Sequence, residues 1–165
     1  MSRAFVNEDQ AANQASQPVE RSISDQPNHV TAHGLALLQE KVAQLNRLRS
    51  ELLAQGERGD KQRLADTERD LRYFSARQQS AQVVPPATST EKVQIGSRVT
   101  YVDAQDREHS VQLVGEDQAD IAAGLVNWGS PLGRALLGAA PGDEVVWRRP
   151  AGDQLIEIVA IEPEA

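Results

Sequence analysis

Apolar residues along this chain keep two different periods, and the change from one to the other divides it. Leu35, Leu38, Val42 and Leu45 follow steps of three and four, and Leu48 and Leu52 continue the row. Such spacing aligns one face of a helix, with Gln39, Glu40, Lys41 and Arg47 lying elsewhere. Thr31 stands just ahead of the run as an N-cap. A second helical row, Leu64, Leu71 and Phe74 with Tyr73 beside it, falls between Lys61 and Ser80, and Asp66, Glu68, Arg69 and Asp70 are assigned to its outer side. Between the rows, Gln55-Gly56-Glu57-Arg58-Gly59-Asp60 carries two glycines, expected to supply left-handed backbone that ends one helix and turns the chain. Each apolar face wants a partner, and the short connection makes them each other's. Residues 29–84 are therefore predicted to form an antiparallel helical hairpin, a short coiled coil.

Val83-Val84-Pro85-Pro86-Ala87-Thr88-Ser89-Thr90 stops the helical pattern, because proline lacks the N–H and clashes with the preceding turn. Residues 85–92 are read as a linker. Beyond it the period becomes two, over Val93–Val102, Ser110–Val114, Val145–Arg148 and Leu155–Ile161, with turns at Gly96, Gly115, Pro141-Gly142 and Pro150-Ala151-Gly152-Asp153. Four strands are expected. Asp120–Val126 and Pro131–Leu137 read as short helices, the second capped by Ser130, opened by Pro131 and closed by Gly138. Residues 93–165 thus make a small α+β domain. In residues 1–28, Phe5, Val6, Val19 and Ile23 are too scattered to build a face, so this stretch is read as a flexible leader. Its removal is expected to leave the melting temperature nearly unchanged.

With 165 residues and 39% hydrophobic positions, the chain can bury one modest core plus an appendage. A formal charge of −7 disfavours an electrostatic grip on nucleic acid, which needs clustered Lys and Arg. No cysteine is present, which excludes disulfides, thiolate zinc sites and thiol nucleophiles. His29, His33 and His109 are scattered and suggest no ligand set for a metal. No apolar run reaches the roughly 20 residues of a spanning helix, and the N-terminus lacks the apolar centre of a signal peptide. A cytoplasmic protein without a membrane partner is expected.

Four segments in order carry a family resemblance: Thr31-x-x-Gly34-x-x-x-Leu38, Ala81-Gln82-Val83-Val84, Val114-Gly115-Glu116-Asp117-x-Ala119-Asp120, and the cassette Ser130-Pro131-Leu132-Gly133-Arg134-Ala135-Leu136-Leu137-Gly138 followed by Pro141-Gly142-Asp143-Glu144-Val145. Over roughly residues 29–163 the chain resembles the Gre family of bacterial transcription elongation factors, GreA and GreB. The resemblance implies an N-terminal helical hairpin followed by a C-terminal domain with an FKBP-like fold. It implies a regulator rather than an enzyme, with RNA polymerase as partner, the hairpin entering the polymerase's secondary channel and nucleic acid met only within the transcription complex. Trp128, Ser130, Pro131, Leu132 and Arg134 are the candidates for polymerase binding, and Leu136 and Leu137 add apolar surface nearby.

Cleavage-stimulating Gre factors carry two carboxylates at the hairpin tip, which help the polymerase hold a second Mg²⁺. Asp60 matches the first of these positions, but Arg63 stands where the second acid belongs. Glu57, Asp60 and Asp66 are balanced by Arg58, Lys61 and Arg63, so no negative potential concentrates there. The arm is also short, about 34 Å at 1.5 Å per residue over Ala32–Ala54, which makes the chain similar to non-cleaving, short-armed relatives such as the regulator of nucleoside diphosphate kinase. The resemblance then implies a monomeric elongation regulator with little transcript-cleavage stimulation and no cofactor of its own, Mg²⁺ entering only through the polymerase. Three alternatives stay open. Asp60 could serve cleavage; the hairpin face could pair with a second copy in an oligomeric adaptor; the FKBP-like domain could isomerise prolyl bonds, for which only Tyr101, Trp128 and Trp147 offer an aromatic lining.

Overall fold

Thr31 and Asp60 each precede a helix and cap it, and the two helices they open match the sequence reading. The structure, a computed structural model, describes residues 18–164. In chain order it holds β1 (His29–Val30), α1 (Ala32–Ala54), α2 (Lys61–Ser80), β2 (Gln82–Val83), β3 (Arg98–Val102), β4 (Glu108–Val114), β5 (Leu125–Asn127), α3 (Pro131–Leu136), β6 (Glu144–Trp147) and β7 (Gln154–Glu162). The class is α+β, a helical hairpin followed by a curled sheet domain. Contacts group Gln26–Leu37 with Ser80–Ala165, and Leu38–Gln79 with the described residues before Gln26. No helix among the described residues is long and apolar enough to cross a membrane.

In the hairpin, Leu38, Leu45 and Leu52 of α1 are buried at seven-residue intervals. Arg49 of α1 meets Glu68 of α2 at 3.6 Å, and Lys41 Nζ lies 5.6 Å from the Phe74 ring centre, which sets the helices antiparallel. The buried positions of α2 are polar, Thr67 and Arg77. Thr67 satisfies its hydroxyl locally by donating to the Arg63 carbonyl at 2.7 Å. The turn differs from expectation at one glycine. Gly56 is left-handed with φ of +57°, whereas Gly59 is extended. Gly59 serves close approach instead, since a Cβ there would fall 2.9 Å from the Leu52 carbonyl oxygen.

Residues 1–17 of the expected leader lie outside the described residues. Within the rest, the expectation of an unpacked chain does not hold, because polar side chains find partners that hydrophobic patterning cannot reveal. Glu20 pairs with Arg72. The Arg21 guanidinium lies 4.0 Å from the Tyr73 ring centre and reaches Asp70 at 3.4 Å. In the other unit, the Gln26 amide exchanges hydrogen bonds with Asn127 at 3.0 and 3.3 Å. Buried Asn28 donates to Ser80 Oγ at 3.0 Å, and its carbonyl accepts the Gln82 N–H at 2.9 Å. β1 and β2 then pair in parallel, His29 opposite Gln82 and Val30 opposite Val83.

The five-stranded sheet has the order β5-β4-β3-β7-β6, with β4 and β5 parallel and the other neighbours antiparallel. Val99, Leu113, Ile156 and Ile158 bury one face with Leu136 of α3. The reading of Val93–Val102 as one strand is too long. Gly96 turns the chain, and Val93 instead exchanges backbone hydrogen bonds with Gly138 and Ala139, both 2.9 Å. The expected helix over Asp120–Val126 is absent. Ile121–Ala123 make one 3-10 turn, left-handed Gly124 ends it, and Leu125–Asn127 join the sheet beside β4. A run of so few apolar residues suits helix and strand equally, and the open edge of β4 decides the outcome.

Candidate functional site

Two of the segments that stood out in the sequence meet in space. Thr31 is buried and its hydroxyl is used twice, accepting the Gly34 N–H at 2.9 Å and donating to Gln118 Oε1 at 3.0 Å. A Cβ on Gly34 would come within 2.9 Å of that same Gln118 oxygen, and one on Gly115 within 2.8 Å of the His29 carbonyl. The Thr31-x-x-Gly34 and Gly115 segments therefore seat the first turn of α1 on the domain.

At the hairpin tip, Asp60 Oδ1 accepts the Arg63 N–H at 3.0 Å, which makes Asp60 the N-cap of α2. Glu57 lies in the 3-10 turn Gly56–Arg58, and Glu57, Asp60 and Arg63 are all exposed. One carboxylate of the tip is thus committed to the backbone. Among the described residues no group of three or more His, Asp or Glu side chains could hold a metal ion.

The cassette is a capped loop leading into α3. Ser130 Oγ accepts the Gly133 N–H at 3.1 Å and donates to the Asn127 carbonyl at 2.7 Å. Asn127 Oδ1 takes the Gly129 N–H at 2.9 Å. Trp128 and Leu132 are half-buried against the core, and His29 packs on Trp128 with ring centres 5.3 Å apart. The buried Trp128 indole N–H meets no acceptor among the described residues. Leu136 is fully buried, which assigns it to the core and not to a surface, while Pro131 and Arg134 face solvent.

A cleft of about 1100 Å³ opens beside the cassette, and the sequence pointed to it only through its aromatic residues. Tyr101, Trp147 and Leu132 contribute apolar wall, Ile121 stands at its lip, and Arg148 and Arg149 come from the β6–β7 turn. Of the three aromatic residues expected to line an FKBP-like pocket, Tyr101 and Trp147 do so and Trp128 does not. His109 also lines it, stacked on Tyr101 at 5.1 Å and donating from Nε2 to Asp103 Oδ2 at 2.9 Å. That hydrogen bond is the largest cause holding the Asp103 carboxyl at about 2, and the Arg107 and Gln105 N–H groups assist while burial opposes. Burial first, then the Asp103 charge, push the Tyr101 phenol upward, so it stays protonated as a donor.

A group whose folded value lies below its unfolded one stabilises the fold above the unfolded value, and that contribution is lost as pH falls through the folded value. For Asp103 the window runs from about 4 to about 2. Asp103→Asn should be less stable than the parent chain at pH 7, and the gap between their urea midpoints should close across that window. A gap constant down to pH 2 would contradict the assignment.

The family described as "Transcription elongation factor, GreA/GreB, C-term" is matched over residues 88–163. Transcription elongation factor GreB of Neisseria meningitidis serogroup A is 34% identical over 152 residues, which span 82% of this chain and 93% of that protein. This chain belongs to the GreA/GreB family. Transcription elongation factor GreA of Vibrio cholerae is 32% identical over 155 residues, 81% of this chain and 96% of its own. GreA factor homolog 1 of Thermus thermophilus aligns with 83% of this chain and 99% of its own length at 21% identity, with a TM-score of 0.40. The chain is thus a Gre-family transcription elongation factor, and the cassette and cleft both lie inside its matched domain.

Proposed function

We propose that this Gre-family factor acts as a monomer in the cytoplasm, binds bacterial RNA polymerase, places its helical arm in the secondary channel, and stimulates little transcript cleavage. It regulates the polymerase and is not itself an enzyme. The observation that carries the reading is the Asp60–Arg63 pair: the position expected to supply a second carboxylate supplies a cation, and the remaining carboxylate caps α2. Mg²⁺ takes one or two carboxylates together with waters and phosphate oxygens, and a second metal stabilises attacking or leaving oxygen in hydrolysis. With Glu57, Asp60 and Asp66 balanced by Arg58, Lys61 and Arg63, the tip offers weak attraction for such an ion. Exposed Pro131 and Arg134 are the contact candidates on the domain, with Ser130, Trp128 and Leu132 holding their loop in place.

The protein should copurify with core RNA polymerase, and Arg134→Glu should weaken that association about tenfold, as one buried-interface charge reversal commonly does. On backtracked complexes the parent chain should add little cleavage. Arg63→Glu should raise it slightly, and more when both helices gain one heptad, which preserves the Leu seam. Strong Mg²⁺-dependent cleavage by the unmodified chain, lost in Asp60→Ala while polymerase binding persists, would make Asp60 the working acid and end the non-cleaving reading.

A further inference from the structure

We propose that the cleft of the C-terminal domain takes up an extended segment of a partner protein, alternating apolar and acidic residues, as an added strand on the outer edge of β4. The first observation is an unpaired half-edge. On one side β4 pairs with β3 from Glu108 to Gln112, but on the other β5 covers only Gln112–Val114. Among the described residues, Glu108 to Val111 therefore carry no strand on their outer side, and these same residues line the cleft. The direction of their backbone groups follows from Gln112, whose N–H points outward to the Gly124 carbonyl at 2.8 Å. With a period of two, the N–H groups of Ser110 and Glu108 point the same way.

An open edge is a template for another strand, and proteins usually blunt such edges with charge, proline or a covering loop. Here it opens into an apolar hollow. Added strands gain affinity from main-chain hydrogen bonds and selectivity from pockets that receive alternate side chains. Tyr101, Leu132 and Trp147 supply such a pocket, and Ile121, 89% exposed at the lip, is positioned to close over an apolar residue.

Charge indicates the other half of the pattern. In a chain of net charge −7, the cleft is lined by two adjacent arginines against the single acid Glu108, and Arg148 also reaches Asp153 at 3.4 Å. The Arg149 guanidinium lies 5.1 Å from the Trp147 ring centre, and Arg148 is 81% exposed. Carboxylates on the solvent side of a bound strand would meet this pair.

The inference stands apart from the polymerase reading, and its test contains no polymerase. A fluorescein-labelled nine-residue peptide alternating valine with aspartate is titrated with the full chain and followed by anisotropy, with a valine–lysine peptide as control. Saturable binding of the acidic peptide is expected, at least tenfold tighter than that of the control. Ser110→Pro removes only an outward N–H at an edge position, where proline is tolerated, and should weaken binding at least tenfold. Ile121→Asp, at an exposed side chain that leaves folding intact, should do the same. Arg148→Glu combined with Arg149→Glu should reverse the preference between peptides. On binding, hydrogen exchange at the Ser110 amide should slow. No saturable binding at millimolar peptide, equal binding of the lysine control, or full affinity in both single variants would overturn the proposal.

Discussion

Gly133→Ala is expected to lower the melting temperature by roughly 6–12 °C, from a loss of about 3 kcal/mol at about 2–4 °C per kcal/mol for a chain of this size. Gly133 is buried in α3, and a Cβ there would lie 2.2 Å from the Asn127 carbonyl oxygen and 2.6 Å from that of Trp128. Both obstacles are backbone, and neither is free to yield. The Trp128 N–H is held by the Val114 carbonyl at 3.0 Å, and the Asn127 carbonyl accepts from Ser130 Oγ at 2.7 Å. Gly138→Ala makes the comparison, because Gly138 has φ of +80° but no atom near its would-be Cβ. Its cost should be about 1–2 kcal/mol, the backbone penalty alone. Differential scanning calorimetry of the two variants separates the cases, and equal shifts would mean that the cassette loop rearranges to admit a methyl group.

A chain beginning at His29 is expected to melt roughly 8–16 °C below one beginning at Pro18. The longer chain keeps the two Gln26–Asn127 hydrogen bonds, the Asn28 bond to Ser80 and the Asn28 carbonyl that receives the Gln82 N–H. At about 1 kcal/mol net for each, the loss of these four bonds is on the order of 4 kcal/mol. The exposed ion pair of Glu20 with Arg72 adds little, since both side chains are more than half exposed. Melting curves that coincide would restore the reading of this stretch as a passenger.

The helices were legible because their signals are local. Thr31 and Asp60 mark both starts, and heptad spacing of leucines fixes the buried stripe of α1. α2 reads less well, since its buried residues are Thr67 and Arg77, which a hydrophobic pattern passes over. Capping also made α3 legible from Ser130 and Pro131. β5 was not, since its three residues acquire their identity only by lying beside β4. For the same reason the docking of residues 26–28 stayed hidden, as it depends on amides meeting partners about 50 to 100 positions away. The tip acids and the cassette could be named because each occupies one stretch of chain. The cleft was legible only through Tyr101 and Trp147, because its walls come from separated stretches between Tyr101 and Ala151.

The pairing of β1 with β2 has a topological consequence. Parallel neighbours cannot be joined by a tight turn, so the chain leaving Val30 must return to the starting level before entering Gln82. The whole helical arm is that return path, a crossover drawn out into 23 residues of α1 and 20 of α2. Any insertion in one helix must then be matched in the other, or the two-residue ladder slips and turns Val30 away from its buried site. Arm length can accordingly vary only in coupled steps. An arm of different reach is therefore gained by adding equal turns to both helices.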